Sequence, residues 1–280
     1  MIKIVSDSSC DIRYIENCAK NLSIEFVPLK ITIDNIDFVD DENLDIDEMY
    51  KEMSRCTGKS STTCPCPDDY EKAFEGADEI YVITISSNLS GSYNTANIAK
   101  QIHLEKHPNK KIHIFDSLST SGTMSLLIYK INELVNKNKT FEYICEKVED
   151  YKIKNTHLVF VLHSVDNLVR NGRLNRVIGA AISALGIKIV GRASEIGTLE
   201  PFSKVRAISK VYKCFINEME KMEYKGGKVV ISHANNEKDA LEIKNLILEK
   251  YNNAVVEIIE AKGLVTYYAQ EKGVLMAFEY

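Results

Sequence analysis

The chain has 280 residues, enough for one large domain or two ordinary ones with a sizeable hydrophobic core. Hydrophobic residues make up 45% of the sequence, charged residues make up 27%, and the formal net charge is -5. Acidic and basic side chains are mixed throughout, so neither a nucleic-acid-binding stripe nor a polybasic lipid-binding helix is indicated. No apolar run approaches the ~20 residues of a membrane span.

The seven cysteines are an odd number and are scattered along the chain. A secreted disulfide framework would be denser and more regular, so the pattern favours reduced thiols and a cytoplasmic protein. Met1–Asp7 begins directly as a strand, without the apolar segment of a signal peptide, which favours the same location. Cys64 and Cys66 form the closest pair, but they lack the two-residue spacer of a redox motif and no second pair completes a zinc site.

In the first half of the chain, β-branched runs typical of strands alternate with helical periodicity. The predicted strands are Ile2–Val5, Ile24–Ile33 with a break at Pro28, Tyr81–Ile85 and Lys111–Phe115. The spacing of Ile12, Ile15, Ala19 and Leu22 predicts a helix after the first strand, and further helices are predicted around Met49–Met53, Tyr70–Phe74, Tyr93–Ile102, Met124–Val135 and Phe141–Tyr151. This alternation predicts βαβ units around a mostly parallel, Rossmann-like sheet.

The second half changes in character near residue 160. The predicted strands there are Thr156–Leu162, Ile187–Val190, Leu199–Val205, Lys228–His233, Val255–Ile259 and Val274–Phe278, with helices at Ile178–Leu185, Ile208–Met222 and Glu237–Tyr251. We therefore predict two α/β domains, 1–158 and 159–280, the second with a mixed sheet, and a ligand cleft between them.

Four hydroxyl-rich loops follow predicted strands or lie where a crevice at the strand ends would be: Ser6–Ser9, Thr62–Thr63, Ser86–Ser92 and Asp116–Ser121. Ligands of parallel sheets bind outside the carboxyl ends of the strands, and a helix N-terminus beside such a loop suits a phosphate or a carboxylate. The stretch around Ser86–Ser92, taken alone, is equally well explained by Ser90 or Ser92 capping its own helix. Because four such loops would meet at one edge, we expect an anion site there.

Five short segments stand out along the chain: Ser6–Asp11, Thr62–Cys66, Ser86–Tyr93, Asp116–Gly122 and Leu168–Leu174. In content and in order they resemble the motifs of the bacterial DegV family. The first is similar to that family's Ser-Asp-Ser…Asp, and the second to Thr-Ser-Gln-Pro-Ser, with the Gln and the last Ser both replaced by Cys. The third is similar to Ser-Ser-x-Leu-Ser-Gly-Thr-Tyr, and the last two match an Asp-Ser…Ser-Gly block and a Leu…Gly-Arg-Leu block.

The resemblance implies a two-domain α/β protein that is not itself an enzyme, needs no cofactor and encloses one long-chain fatty acid such as palmitate. For some members it implies the lipid-presenting subunit of a bacterial fatty acid kinase, in which a separate kinase protein phosphorylates the acyl carboxylate. Carried over by position, Thr62 and Ser90 would hydrogen-bond the carboxylate, with Thr63 nearby. Arg173 would be the buried cation of that head-group network. Burial of the acyl chain, at ~0.8 kcal/mol per methylene, can outweigh the desolvation of the carboxylate.

Two blocks depart from the family pattern. The C-terminal His-x-Gly-Pro-Gly would fall on Ala269–Gly273, so the histidine of the head-group network is absent and Ala269 stands in its place. The family's Ile-Lys-Pro-Ile-Leu is Ile187–Gly191 here, without its proline. The missing histidine leaves open whether a kinase partner exists, and Tyr267 or Tyr268 is a candidate replacement donor.

Single features of the sequence suit three other functions. A serine-dependent lipid ester hydrolase would use Ser90 as nucleophile and His163 or His233 as base, but Ser90 does not lie in a Gly-x-Ser-x-Gly elbow. A nucleotide enzyme would need a Gly-x-Gly-x-x-Gly or Walker loop, and the sequence has neither. His103 and His107 lie four residues apart on a predicted helix, but Pro108 follows directly, so an ordinary helix end is favoured over a metal site.

Overall fold

The computed structural model describes residues 1–175 and 186–280; the helix predicted at Ile178–Leu185 lies outside the described residues. The strands of the first sheet are β1 (Ile2–Asp7), β2 (Leu22–Val27), β6 (Glu79–Thr84) and β7 (Lys111–Asp116). Their order is β2-β1-β6-β7, and the sheet is parallel throughout, as predicted. One face packs against α2 (Pro67–Phe74) and α3 (Ser92–Lys106), with Tyr70, Phe74, Ala96 and Ala99 in the shared core.

The prediction of a helix between β1 and β2 is wrong, because residues 12–21 form turns and irregular chain. Ile12 and Ala19 are buried in the core as the spacing suggested, but their burial does not come from a helical face. Asn17 has a positive φ of 56°, which ends any regular helix there. The Ala19 N–H donates to Asn132 Oδ1 at 3.0 Å, so a distant side chain satisfies the backbone that a helix would have satisfied locally.

A small antiparallel sheet lies beside the first sheet, and its first strand comes from the predicted extended run Ile24–Ile33. It contains β3 (Lys30–Ile33), β4 (Ile36–Val39) and β5 (Ser60–Thr63), in the order β4-β3-β5. Between β4 and β5, α1 (Ile46–Arg55) begins with Asp45 as its cap, whose side chain accepts from the Glu48 N–H at 2.9 Å. The predicted extended run therefore divides at Pro28 into two strands of different sheets.

The strands of the second large sheet are β8 (Thr156–Leu162), β9 (Lys188–Ala193), β10 (Leu199–Val205), β11 (Gly227–His233), β12 (Ala254–Glu260) and β13 (Val274–Glu279). The sheet is mixed, as predicted, with the order β10-β9-β8-β13-β11-β12. The helices α7 (Ile208–Lys221) and α8 (Glu237–Lys250) cover its outer face. The boundary predicted between residues 158 and 159 falls inside β8, and the division into two domains stays a prediction.

The remaining helices are α4 (Gly122–Asn136), α5 (Phe141–Lys154), α6 (Asp166–Arg170) and α9 (Gly263–Ala269). The helix α4 lies between the two large sheets and packs against both. A Cβ atom at Gly122 would lie 3.0 Å from the Ala277 Cβ and 3.1 Å from the Val230 Cβ, so glycine allows the start of α4 to approach the second sheet closely. Among the helices of residues 1–175 and 186–280, none has the length and hydropathy to cross a bilayer.

Candidate functional site

An apolar cavity lies between the sheets, with about 670 Å³ of empty space when the open solvent at its mouth is counted. Its walls are aliphatic and aromatic: Leu29, Ile85, Leu89, Leu158, Phe160, Leu162, Leu168, Leu199, Leu264, Val265, Ala269 and Leu275. The polar or charged side chains that line it are Thr62, Ser90, Thr120, Arg173 and Tyr268. An apolar space lined by a few polar groups suits a ligand with a long hydrocarbon part and a polar end.

The strand β5 directs Thr62 toward the cavity. Side chains alternate along a strand, so Thr62 is partly buried while its neighbours Ser61 and Thr63 are exposed. The Thr62 hydroxyl shares a hydrogen bond of 2.8 Å with the phenol of Tyr268, which comes from the opposite end of the sequence. Thr63, predicted to lie near the carboxylate, is on the exposed side of β5 and is not among the residues lining the cavity.

A tight turn after β6 positions Ser90. The N–H groups of Leu89 and Ser90 both donate to the Ser86 carbonyl, at 2.9 and 3.1 Å. The Ser90 Oγ lies 3.0 Å from the Ser92 Oγ and accepts from the Ser92 N–H at 3.3 Å. The capping interpretation is therefore correct in part, because Ser90 satisfies one N–H at the start of α3, yet the same hydroxyl also lines the cavity.

The two hydroxyl-bearing loops are in close contact. A Cβ at Gly91 would lie 3.1 Å from the Cys64 sulfur, so the Thr62–Cys66 segment packs directly against the turn that carries Ser90. Thr120, from the loop after β7, lines the same cavity. Three of the four predicted loops thus meet here.

The fourth loop, Ser6–Ser9, is fully buried and stabilises neighbouring segments through hydrogen bonds. The Asp7 carboxylate accepts from the Ile85 N–H at 2.8 Å and from the Ser9 N–H at 3.1 Å, and the Ser8 hydroxyl accepts from the Leu29 N–H at 2.9 Å. Burial raises the pKa of Asp7 to about 6, although hydrogen bonds from Ser9 and other donors oppose the rise.

Arg173 brings a positive charge to the mouth of the cavity. Its Nε donates to the Leu89 carbonyl at 3.1 Å and its Nη1 donates to the Asn171 carbonyl at 2.5 Å, which ties the segment after α6 to the turn that carries Ser90. Within the described parts of the chain, Arg173 forms no ion pair with a carboxylate. A guanidinium that is partly buried without a carboxylate partner attracts an anion.

Tyr268 lies next to Ala269, the position where the resemblance described above would place a histidine. Burial raises the pKa of Tyr268, while the Thr62 hydrogen bond and the Arg173 charge oppose the rise, so the phenol is protonated at neutral pH and available as a donor. Ala269, where the family has its histidine, is buried in the cavity wall beside it. The sequence analysis left Tyr267 and Tyr268 as alternative replacement donors, and of the two it is Tyr268 that lines the cavity.

Two buried carboxylates from the first half of the chain hold the start of α9. The N–H groups of Gly263 and Leu264 donate to Asp40, both at 2.9 Å, and the Lys262 N–H donates to Asp11 at 2.8 Å. Burial raises the pKa of Asp40, and the adjacent Arg13 guanidinium opposes this rise. The helix that carries Tyr268 is therefore fixed against the strands and loops that carry Thr62 and Ser90.

The geometry does not assemble the alternative sites. In the described residues the Ser90 hydroxyl pairs with Ser92, the His163 Nε2 is buried without a partner, and the His233 Nδ1 accepts from the Asn236 N–H at 3.3 Å. His103 packs edge-on against Phe74, with 5.6 Å between ring centroids, as part of the core beneath α3. No cluster of three or more potential metal ligands occurs where the structure describes the chain.

Fold and cavity together define an α/β protein with an internal apolar cavity between two sheets. The family model described as "Uncharacterised protein, DegV family" matches residues 1–278, and the chain belongs to the DegV family. A DegV domain-containing protein of Streptococcus gordonii is 44% identical over 277 residues, which cover 99% of this chain and 98% of the relative. The family and the fold class predicted from the sequence are confirmed.

Two solved structures show how similar the fold is. The Streptococcus pneumoniae Fatty Acid Kinase (Fak) B3 protein loaded with linoleic acid matches with a TM-score of 0.97 and 44% identity, over 99% of both chains. A DegV family protein from Eubacterium eligens loaded with heptadecanoic acid matches with a TM-score of 0.95 and 36% identity, over 100% of this chain and 99% of that one.

Proposed function

We propose that the protein binds one long-chain fatty acid, such as palmitate, with the acyl chain in the cavity and the carboxylate at its polar mouth. The observation that carries the proposal is the meeting of Thr62, Ser90 and Arg173 at one apolar cavity, where Arg173 forms no ion pair with a carboxylate among residues 1–175 and 186–280. The linoleic and heptadecanoic acids held by the two similar structures support the ligand class. That Thr63, which is exposed beside Thr62, lies near the carboxylate stays a prediction.

The energetics of such a ligand are favourable. Each buried methylene contributes about 0.8 kcal/mol, so a long acyl chain supplies most of the affinity. The carboxylate loses its water on entry, and that loss is expensive unless donors replace it. The Thr62 and Ser90 hydroxyls and the Arg173 guanidinium are such donors, and a hydrogen bond to a charged group is worth about 1.5–3 kcal/mol.

The role we infer is that of a holder, which presents the carboxylate to a separate fatty acid kinase and does no chemistry itself. The similarity to a Fatty Acid Kinase B3 protein supports this role. Tyr268 takes over the head-group position of the absent histidine, because its phenol bonds Thr62 directly. We also infer a cytoplasmic location, which the seven cysteines favour, since all are free thiols.

The binding proposal is tested first on the purified, untreated protein by native mass spectrometry and lipid extraction. A co-purifying fatty acid is the expected result. After delipidation, Thr62→Val and Ser90→Ala are each expected to weaken palmitate binding by about 1–3 kcal/mol, because the carboxylate is left under-bonded. Ser61→Ala is the matched control: it removes a hydroxyl one residue away on the exposed face of β5 and leaves the affinity unchanged. Wild-type affinity in both Thr62→Val and Ser90→Ala would refute the assignment.

The kinase role needs its own assay. With the catalytic protein of a bacterial fatty acid kinase, ATP and Mg²⁺, the palmitate-loaded chain is expected to yield an acyl phosphate, detected as a hydroxamate after trapping. Binding of palmitate without acyl phosphate formation would show a lipid carrier that does not serve this kinase.

A further inference from the structure

The strand next to Phe160, a residue of the cavity wall, has a glycine directly opposite it. Gly191 lies in β9 directly opposite Phe160 of β8, in the antiparallel register that also pairs Val161 with Val190. Residues directly opposite each other in a sheet point to the same face. Phe160 lines the cavity, so Gly191 belongs to the cavity-facing side of the sheet as well.

The ring of Phe160 occupies the space that a side chain at 191 would need. A Cβ at Gly191 would lie 2.6 Å from the Phe160 Cε2, nearer still to the Cζ, and 2.9 Å from the Glu200 carbonyl oxygen. Carbon atoms in contact are normally about 3.5–4.0 Å apart, so the ring would have to move. Phe160 thus lies across β9 because residue 191 has no side chain.

A displaced ring has one open direction. On the same face, Leu158 and Leu162 flank Phe160 along β8, and Leu275 pairs with it from β13. These neighbours are well packed, with Phe160 only 2% exposed. The open side is the cavity, so a ring pushed off residue 191 would enter the space proposed for the acyl chain.

The position of the pair along the cavity fixes which part of the ligand it meets. The chain continues from the end of β8 through α6 to Arg173, so we infer that the mouth lies at this end of the strand, with Leu162 as its nearest wall residue on β8. Phe160 lies two residues further in, about 6.8 Å along an antiparallel strand. It therefore faces hydrocarbon and not the carboxylate.

We propose that Gly191 and Phe160 together set the bore of the acyl cavity and determine which chain lengths the protein accepts. This inference rests on the proposed fatty-acid-binding function and adds its specificity determinant: Gly191 keeps the Phe160 ring out of the path of chains that extend past it.

The experiment compares delipidated wild type and Gly191→Ala with octanoate, myristate, palmitate and stearate. The loss of affinity in Gly191→Ala is expected to grow with chain length, to about tenfold or more for palmitate and stearate, the scale expected for overpacking one buried ring. Octanoate affinity is expected to change by less than about twofold. Gly191→Ala combined with Phe160→Leu is expected to recover most of the palmitate affinity, because the smaller side chain leaves the cavity again.

Val190→Ala is the matched control, since Val190 lies on the same strand but in the core on the opposite face. It is expected to lower stability while leaving the chain-length profile unchanged.

An equal loss for all chain lengths in Gly191→Ala, or no recovery in the double variant, would overturn the inference although wild-type binding remained. If Gly191→Ala does not fold, Phe160→Leu alone tests the proposal. The smaller side chain widens the cavity and is expected to raise the affinity for oleate relative to that for palmitate. An unchanged ratio of the two affinities would refute the proposal. A wild-type chain that binds none of these acids would refute the proposed function itself.

Discussion

Replacing Tyr268 with phenylalanine removes one oxygen atom from the proposed head-group site. That oxygen lies 2.8 Å from the Thr62 hydroxyl, and Thr62 is the residue expected to donate to the carboxylate. When the phenol donates to Thr62, the Thr62 proton is free to point at the ligand. Because burial raises the pKa of Tyr268, its phenol is protonated at neutral pH. Tyr268→Phe therefore removes a hydrogen-bond donor from Thr62.

The expected magnitude follows from the kind of bond. A hydrogen bond that acts on a charged acceptor contributes about 1.5–3 kcal/mol, and Thr62 is only partly buried, so water recovers a share of the loss. We therefore expect Tyr268→Phe to weaken palmitate binding by about 1–2 kcal/mol, roughly 5- to 30-fold. Methyl palmitate carries no charge, and its affinity is expected to change far less. Titration of the delipidated protein with both ligands measures the difference.

Tyr267→Phe is the control, since it makes the same change one residue earlier in α9. The Tyr267 hydroxyl donates to the Ser60 hydroxyl at 2.7 Å and accepts from the Asn171 amide at 2.9 Å, away from the ligand. Its removal is expected to lower the free energy of unfolding by about 1–3 kcal/mol with little effect on palmitate affinity. An equal loss of acid and ester binding in Tyr268→Phe, or an acid-specific loss in Tyr267→Phe, would refute the reasoning.

Two further predictions concern charge. Arg173→Gln is expected to reduce palmitate affinity about tenfold or more at low salt, with a much smaller effect on methyl palmitate, because it removes the cation that faces the carboxylate; equal losses for both ligands in parallel titrations would contradict this. Burial raises the pKa of Asp7 from its usual 3.8 to about 6, so its stabilising contribution is fully present below pH 3.8 and is lost as the pH rises through about 6. That loss amounts to about 3 kcal/mol. Urea unfolding should therefore show Asp7→Asn becoming steadily less destabilising, relative to wild type, between pH 4 and pH 7, and a constant difference would be evidence against it.

The strands and the loops at their ends could be predicted because their signals are local. The run Thr156–Leu162 is apolar from Leu158 onward and contains the β-branched Thr156, Val159 and Val161, and β8 has these bounds. Ser90 was placed at the site because a strand, a Ser/Gly turn and a helix follow one another within a few residues. These local patterns predict the structure correctly because each segment buries its own apolar face.

The parts that could not be predicted depend on contacts between distant segments. The helix α9 has seven residues, and Asp11 and Asp40 hold its first N–H groups from more than two hundred residues away, so no local cap marks it. The spacing of Ile12 and Ala19 is helical, yet Asn132 binds that segment in an irregular conformation. The choice between Tyr267 and Tyr268 likewise depended on which one faces Thr62, and sequence spacing carries no such information.

The most direct test of the fatty-acid proposal is a crystal structure of the delipidated protein soaked with palmitate. The account predicts continuous density for the acyl chain past Phe160 and Leu275, with the carboxylate oxygens about 2.7–3.0 Å from the Thr62 and Ser90 hydroxyls. A cavity that stays empty at saturating ligand, or a carboxylate bound away from Thr62, Ser90 and Arg173, would contradict it.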